Sequence, residues 1–327
     1  MQYCYPLDNS SCNRNLRPKF EYIIMYLFFL SVSVCTVILN LLVIISISHF
    51  KQLHTPTNLL ILSMAVADMI VGLFVMPLEG IRLIETCWYF GDVFCVSFPV
   101  VLFVVVSASL GNIVFISVDR YIAVSDPLHY TFKVTLHKAT FCISITWLCS
   151  SVYSVCMLHN HIFYAETRST CHGECRLVIS FIWVVIDVFV SLLAPCLIVI
   201  VLYLRIYCVA KYQVKVINSV TVSTKLGGNG HTLKKSERKA AKTLGITVVI
   251  YLLCWMPYYI LTLSLEKITS LSLLETFLRW FMYLNSCMNP IIYALNYPWF
   301  KISAKLILNL KIFEKSSSYL NLFTDEM

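Results

Sequence analysis

The chain has 327 residues, 59% of them hydrophobic and only 13% charged, with a mean hydropathy of +0.78. Soluble domains carry about 25% charged residues, so this composition excludes an ordinary soluble enzyme and indicates a membrane protein. The formal net charge of +8 would suit nucleic acid if it formed one basic face, but it is spread through short connections between apolar runs.

In chain order, residues 1–20 form a polar tail with Cys4, Cys12 and the sequon Asn9-Ser10-Ser11, which makes Asn9 a candidate glycosylation site. No secretory signal precedes the first apolar run, so that run is expected to act as its own uncleaved insertion signal. Seven apolar runs of about 20 residues or more follow. They lie near Ile23–Ser48, Asn58–Ile81, Val93–Val124, Ala139–Leu158, Val178–Tyr207, Ala240–Leu265 and Leu273–Tyr297. They predict an all-α membrane protein, a seven-transmembrane helix bundle over residues 21–297. Of the 25 Lys and Arg, 17 then fall on one side and 8 on the other, which puts the N-terminus outside.

The longest connection, residues 208–239, is basic and contains Gly227-Gly228-Asn229-Gly230, as expected of a mobile cytoplasmic loop. Residues 298–327 are expected to be a cytoplasmic helix and tail. Pro298-Trp299-Phe300 opens a stretch with apolar residues at helical spacing between Lys301, Lys305 and Lys311, which predicts a short amphipathic eighth helix on the inner face. A transporter reading lacks support, since the sequence shows neither internal repeats nor paired discontinuous helices.

Two acids lie deep in apolar runs. Asp187 sits in the outer half of the fifth, where an acid costs roughly 2.5–3.5 kcal/mol, so it marks a functional site unless the protein supplies a partner. Asp68 lies in the middle of the second. Its simpler reading is a buried acid satisfied by neighbouring hydroxyls and amides; its functional reading is a monovalent-cation site completed by Ser109, Asn285 and Asn289.

Asp119-Arg120-Tyr121 ends the third run, and Glu237 begins the sixth helix on the same side. Capping and snorkelling are the simpler reading of that charge cluster; a latch in which Arg120 exchanges between Asp119 and Glu237 is the functional one. Pro257, in Cys254-Trp255-Met256-Pro257, and Pro290, in Asn289-Pro290 with Tyr293, are expected to kink the sixth and seventh helices. Hinged helices beside a cationic latch suggest signalling. None of the common hydrolase, nucleotide or metalloprotease motifs is present, and the chain is not expected to be an enzyme.

Six cysteines face outside on this topology: Cys4, Cys12, Cys87, Cys95, Cys171 and Cys175. They allow about fifteen pairings, among which spacing does not choose. Zinc on Cys171, Cys175 and His172 is the alternative to disulfides there. The other eight are read as small packing residues.

The set Asn40, Asp68, Cys95, Asp119-Arg120-Tyr121, Trp147, Pro195, Tyr203, Cys254-Trp255-x-Pro257 and Asn289-Pro290-x-x-Tyr293 resembles the rhodopsin-like G-protein-coupled receptors over nearly the whole chain. Within that class, Ser46–Asn58, Cys87–Gly91, Ser236–Ile246 and Asn285–Phe300 resemble the trace amine-associated receptors. The resemblance implies a multi-pass plasma-membrane receptor for a small-molecule amine, with no cofactor beyond an allosteric sodium ion. It implies a heterotrimeric G-protein partner of stimulatory or olfactory type, a rise in cyclic AMP, and expression in olfactory sensory neurons. It also implies a Cys95–Cys175 disulfide and a second bridge from the tail to Cys171, with Cys4 the better partner (Cys4–Cys171) and Cys12 the other. Tyr203, Trp255, Pro257, Asn289, Pro290 and Tyr293 would join Asp119, Arg120 and Glu237 in the activation switch.

One departure sets the site. Receptors of the aminergic class hold the ligand ammonium on an Asp eighteen residues before the Arg of Asp-Arg-Tyr; here that position is Leu102. Asp187, eight residues before Pro195, resembles the arrangement in a subset of fish trace amine-associated receptors, where the acid has moved to the fifth helix. The expected pocket joins Asp187 and Ser191 to Trp255, Tyr258, Tyr259, Trp280 and Tyr283, with Leu102, Phe103 and Val106 opposite. It would take a protonated amine by ion pairing and cation–π contact. A receptor for a neutral or non-amine ligand is the alternative.

Overall fold

A computed structural model of the protein describes residues 2–8, 10–14, 16–221, 245–247, 249–260, 262–263, 273–314 and 316–322. The tail opens with a small antiparallel hairpin of β1 (Gln2–Tyr3) and β2 (Asn13–Arg14). Helices follow: α1 (Lys19–His49), α2 (Pro56–Glu85), α3 (Gly91–Ser125), α4 (Leu136–Met157) and α5 (Phe181–Val209), whose last turns continue to Thr221. Among the described residues these five are long and apolar enough to cross a bilayer. Then come the shorter apolar α6 (Gly245–Ile260), α7 (Leu273–Asn296) and α8 (Pro298–Leu308). Glu237, Asn9, Gly227–Gly230 and most of the basic connection lie outside the described residues.

Local chemistry sets several boundaries. Thr55 accepts the backbone N–H of Asn58, and Pro56 at the first turn gives up no hydrogen bond, so α2 starts there. Thr135 caps α4 in the same way through Lys138. Two π turns, Val71–Val75 in α2 and Val188–Leu193 in α5, have no signature in the apolar pattern. Each presents a carbonyl to a hydroxyl of a neighbouring helix: Ser33 donates to Gly72 O at 2.6 Å, and Tyr251 donates to Ser191 O at 2.5 Å.

Polar ties of this kind hold the bundle, since helices with apolar outer faces gain little from burying more apolar surface against each other. Asn40 donates to Thr36 O and to Ser286 O, joining α1 to α7. Asn112 and Trp147 both donate to Ser63 Oγ at 3.0 Å, joining α2, α3 and α4. Gly111 lets α3 and α4 approach so closely that a Cβ there would meet the Thr146 methyl at 2.5 Å. Large apolar side chains such as Ile24, Leu27 and Leu197 point out of the bundle, as a lipid-facing surface requires.

At the end opposite the tail, α8 buries Trp299, Phe300, Ser303 and Ile307 and exposes Lys301 and Lys305. The chain then turns back beneath α1. His49 bonds Ser317 at 2.9 Å, the Lys51 ammonium lies over the Tyr319 ring, and Leu322 is fully buried with its N–H on Gln52.

Candidate functional site

Asp187 lies near the tail end of α5 and is 9% exposed. Its Oδ1 accepts hydroxyls from Tyr153 of α4 at 2.9 Å and Ser191 of α5 at 2.8 Å. Its Oδ2 accepts the Tyr259 hydroxyl of α6 at 2.9 Å. All three donors are neutral, and among the described residues no Lys, Arg or His pairs with the carboxylate. A carboxylate has about four acceptor positions, so room for one more donor remains.

That carboxylate opens on a cavity between α2, α3, α5, α6 and α7. Leu102, Phe103 and Val106 of α3 form one wall, Trp255, Tyr258 and Tyr259 of α6 another, with Tyr283 of α7 beside them and Ser191 below Asp187. The Trp255 ring centroid is 6.0 Å from that of Tyr259 and 5.7 Å from that of Tyr251, so the α6 aromatics pack as one cluster. The expectation for Trp280 is corrected. It does not line this cavity; its ring stacks on Phe29 of α1 at 3.8 Å and is 1% exposed. The slot exists because Gly80 has no side chain, its Cβ position lying 3.2 Å from the indole.

Below the cavity floor, Asp68 accepts Ser109 Oγ at 3.3 Å and Asn289 Nδ2 at 2.8 Å. A smaller cavity is lined by Asp68, Ser109 and Asn285 and shares Trp255 with the upper one. Among the described residues, the side-chain oxygens of Asn285, on that cavity, and of Asn289, beside Asp68, are buried without a hydrogen-bond partner. Two orphaned acceptors beside a carboxylate make a set of oxygens suited to a hard monovalent cation.

At the far end of α3, Arg120 pairs with Asp119 at 2.7 Å and donates to Thr57 at 2.5 Å and to Tyr130 at 3.2 Å. Tyr130 also donates to Asp119 Oδ1 at 2.7 Å. Of the remaining switch residues, Tyr203 packs against Gly245 of α6, Pro257 and Pro290 lie within α6 and α7, and the Tyr293 hydroxyl meets the Met64 sulfur at 3.8 Å. Just beyond α3, Asp126 is held down to about 2 by hydrogen bonds from Lys133 and His129.

Three disulfides close the tail end. Cys95 is joined to Cys175, tying α3 to the connection before α5. The Cys4–Cys171 expectation is corrected: Cys12 bonds Cys171, and Cys4 bonds Cys87. The hairpin explains why. Cys4 N–H donates to Cys12 O, which sets the two cysteines opposite each other, and Cys12 N–H donates to His172 O, which lays Cys12 against Cys171. These cysteines therefore form covalent pairs in place of the zinc site considered above. The His172 ring stacks on Tyr5 at 4.3 Å and bonds Asp8, whose pKa is lowered to about 2 by hydrogen bonds from Ser10 and His172. Of the eight free cysteines, Cys196, Cys254 and Cys287 are buried; Cys35, Cys149, Cys156 and Cys208 are exposed.

Sequence reasoning missed several partners. Tyr153, Thr57 and Tyr130 carry no spacing that ties them to Asp187 or Arg120. The Glu79 and Arg82 pair on the α2 wall of the upper cavity was visible as two opposite charges three residues apart in an apolar helix.

The model for the seven-transmembrane receptors of the rhodopsin family matches residues 39–293. The chain is 42% identical to trace amine-associated receptor 6 of Rattus norvegicus, an alignment covering 100% of this chain and 97% of that receptor. It is 42% identical to trace amine-associated receptor 8a of Rattus norvegicus, with 99% and 97% covered. To trace amine-associated receptor 13c of Danio rerio it is 39% identical, with 99% and 96% covered.

Proposed function

The chain belongs to the rhodopsin family of seven-transmembrane receptors, among the trace amine-associated receptors, and on that premise we propose that Asp187 holds the ammonium of an amine ligand. As a member of that family it is a multi-pass membrane receptor, not an enzyme, and works with a small-molecule ligand and a heterotrimeric G protein.

The observation that carries the reading is the Asp187 carboxylate itself. It is buried, bonded among the described residues to neutral hydroxyls alone, and open to a cavity walled by aromatic rings. A buried charge without a counterion is costly, and a ligand ammonium supplies one. The rings of Trp255, Tyr258 and Tyr283 add cation–π attraction. Leu102, at the position where the aminergic class has its acid, offers only an apolar wall, so the amine lies with its charged end toward α5.

Binding acts by shifting populations, through the ligand's differential affinity for two states. An ammonium on Asp187 competes with the Tyr259 hydroxyl and moves the α6 cluster that contains Trp255. Movement about Pro257 then releases Arg120, by way of Glu237, and opens a cavity for the G protein. The orphaned oxygens of Asn285 and Asn289, with Asp68 and Ser109, would hold a sodium ion that supplies positive charge favouring the resting state.

In this reading seven spans put the tail, with a glycosylated Asn9, outside the plasma membrane. Helix α8 lies on the inner face. The G protein is of the stimulatory or olfactory type, cyclic AMP rises, and the receptor works in olfactory neurons. The test is a panel of monoamines and diamines on cells reporting cyclic AMP. Asp187→Ala should abolish every amine response at normal surface expression; an unchanged dose–response would sink the assignment.

A further inference from the structure

The cavity that holds Asp187 carries charge on a second wall. Glu79 and Arg82 of α2 both line it, and they form a bidentate pair: Arg82 Nε and Nη2 donate to the two Glu79 oxygens at 2.8 and 2.7 Å. Glu79 is thereby engaged at both oxygens, with its side chain 5% exposed. It is a poor second site for a cation, since the paired guanidinium already balances its charge and would repel an arriving ammonium.

The guanidinium has donors to spare. A guanidinium carries about five N–H groups, and two are used on Glu79. The Nη1 edge has no hydrogen-bond partner among the described residues, and Arg82, which lines the cavity, keeps 20% of its side chain exposed. One wall of the pocket thus presents an acceptor for a cation and another presents donors for an oxygen.

We infer that the ligand is a bifunctional amine whose far end is a hydrogen-bond acceptor, a carboxylate or an uncharged carbonyl, received by Arg82 while the ammonium lies on Asp187. The inference rests on the Asp187 reading and extends it. It distinguishes this pocket from one for diamines, in which the second wall would have to offer a free acid.

The experiment compares compounds of one carbon length: pentylamine, 1,5-diaminopentane, 5-aminopentanoic acid and 5-aminopentanamide, with three- to six-carbon homologues, on cells reporting cyclic AMP. The acid or the amide should act at a half-maximal concentration at least roughly tenfold below the alkylamine and diamine of equal length, since a hydrogen bond to a charged group is at stake. Acid above amide identifies a zwitterion; parity identifies a neutral carbonyl. Arg82→Gln should erase the preference, read as the ratio of half-maximal concentrations between the alkylamine and the acid or amide. Because Arg82→Gln strands a buried Glu79, the double variant Glu79→Gln/Arg82→Gln is run beside it, with surface expression measured. Glu79→Gln alone, which releases the rest of the fork, should strengthen the preference for the acid.

A diamine that outperforms both acceptor-bearing compounds overturns the inference, as does a preference that survives in the double variant. Asp187→Asn separates the two readings. If it abolishes all responses while Arg82 variants change no ranking, only the Arg82 role falls; if it changes nothing, both fall. Silence of the wild type toward all four classes also overturns both.

Discussion

Tyr259 of α6 donates its hydroxyl to Asp187 of α5 at 2.9 Å, so the candidate ligand anchor is already tied to the helix that the proposed mechanism moves. The same carboxylate takes the hydroxyl of Tyr153 from α4 at an equal 2.9 Å. Only the first bond spans the α5–α6 seam, and its ring belongs to the cluster that includes Trp255.

The two tyrosines should therefore behave differently when their hydroxyls are removed. Tyr259→Phe keeps the ring and loses the tie, so the resting state is weakened and basal cyclic AMP should rise. A shift of about 1 kcal/mol multiplies a minor active population roughly fivefold. Tyr153→Phe removes an equivalent bond from a helix that stays in place, and its basal signal should match the wild type. Equal basal signals in the two variants would refute this coupling.

Tyr130 supports the second restraint. It donates to Asp119 at 2.7 Å and accepts from Arg120 at 3.2 Å, bracing the pair at the end of α3. Tyr130→Phe should raise basal cyclic AMP, and should do so equally in an Asp187→Ala background, because the effect bypasses the ligand pocket. If the rise vanishes in that background, Tyr130 acts through the pocket and the bracing account is wrong.

What could be read from residues alone follows a physical divide. Apolar length is local, so the long helices were legible, although the second apolar run as read, Asn58–Ile81, stops short of α2 at both ends. Asp187 was legible because an acid in an apolar helix is conspicuous whatever surrounds it. Its donor Tyr153 was not, since contact between α4 and α5 depends on how the helices pack. Trp280 shows the same gap: helical period places it near Tyr283, but the slot left by Gly80 turns its ring to Phe29. The π turns at Gly72 and Ser191 were invisible because one extra residue in a turn leaves the composition unchanged. Cys4 and Cys12 are equivalent by spacing, and only the hairpin register, Tyr3 opposite Asn13, separates them.

The cysteine assignment has a direct check. Non-reducing peptide mapping by mass spectrometry should recover Cys4 linked to Cys87 and Cys12 linked to Cys171. Cys12→Ser and Cys171→Ser should lower surface expression equally, and the double variant no further, as expected when one bond is lost in all three. A peptide joining Cys4 to Cys171 would contradict the hairpin register.

The tail should hold its docking through mildly acidic conditions. Asp8 titrates at about 2 because Ser10 and His172 hydrogen-bond its carboxylate. Its folded value is below the unfolded value of about 3.9. Its contribution is therefore complete above that unfolded value and lost only as pH falls through about 2. Hydrogen exchange of residues 3–14, corrected for intrinsic rate, should show Asp8→Asn less protected than wild type at both pH 7 and pH 5 by the same margin. A margin that disappears at pH 5 would show that Asp8 is not held as described.

The α3–α4 seam offers the sharpest packing test. A Cβ at Gly111 would lie 2.5 Å from the Thr146 methyl, which cannot swing aside freely because Thr146 Oγ1 is bonded to Cys142 O at 2.7 Å. Gly111→Ala must then push the helices apart, an overpacking cost of roughly 1–3 kcal/mol. It would also strain the bonds from Asn112 and Trp147 to Ser63, which tie α3 and α4 to α2 beside that seam. Thr146→Ser removes the offending methyl and keeps the hydroxyl. The purified receptor should thus melt lower with Gly111→Ala, little changed with Thr146→Ser, and near wild type with both. Contact between the two positions requires that non-additivity; simple addition of the two effects would mean the helices do not meet there.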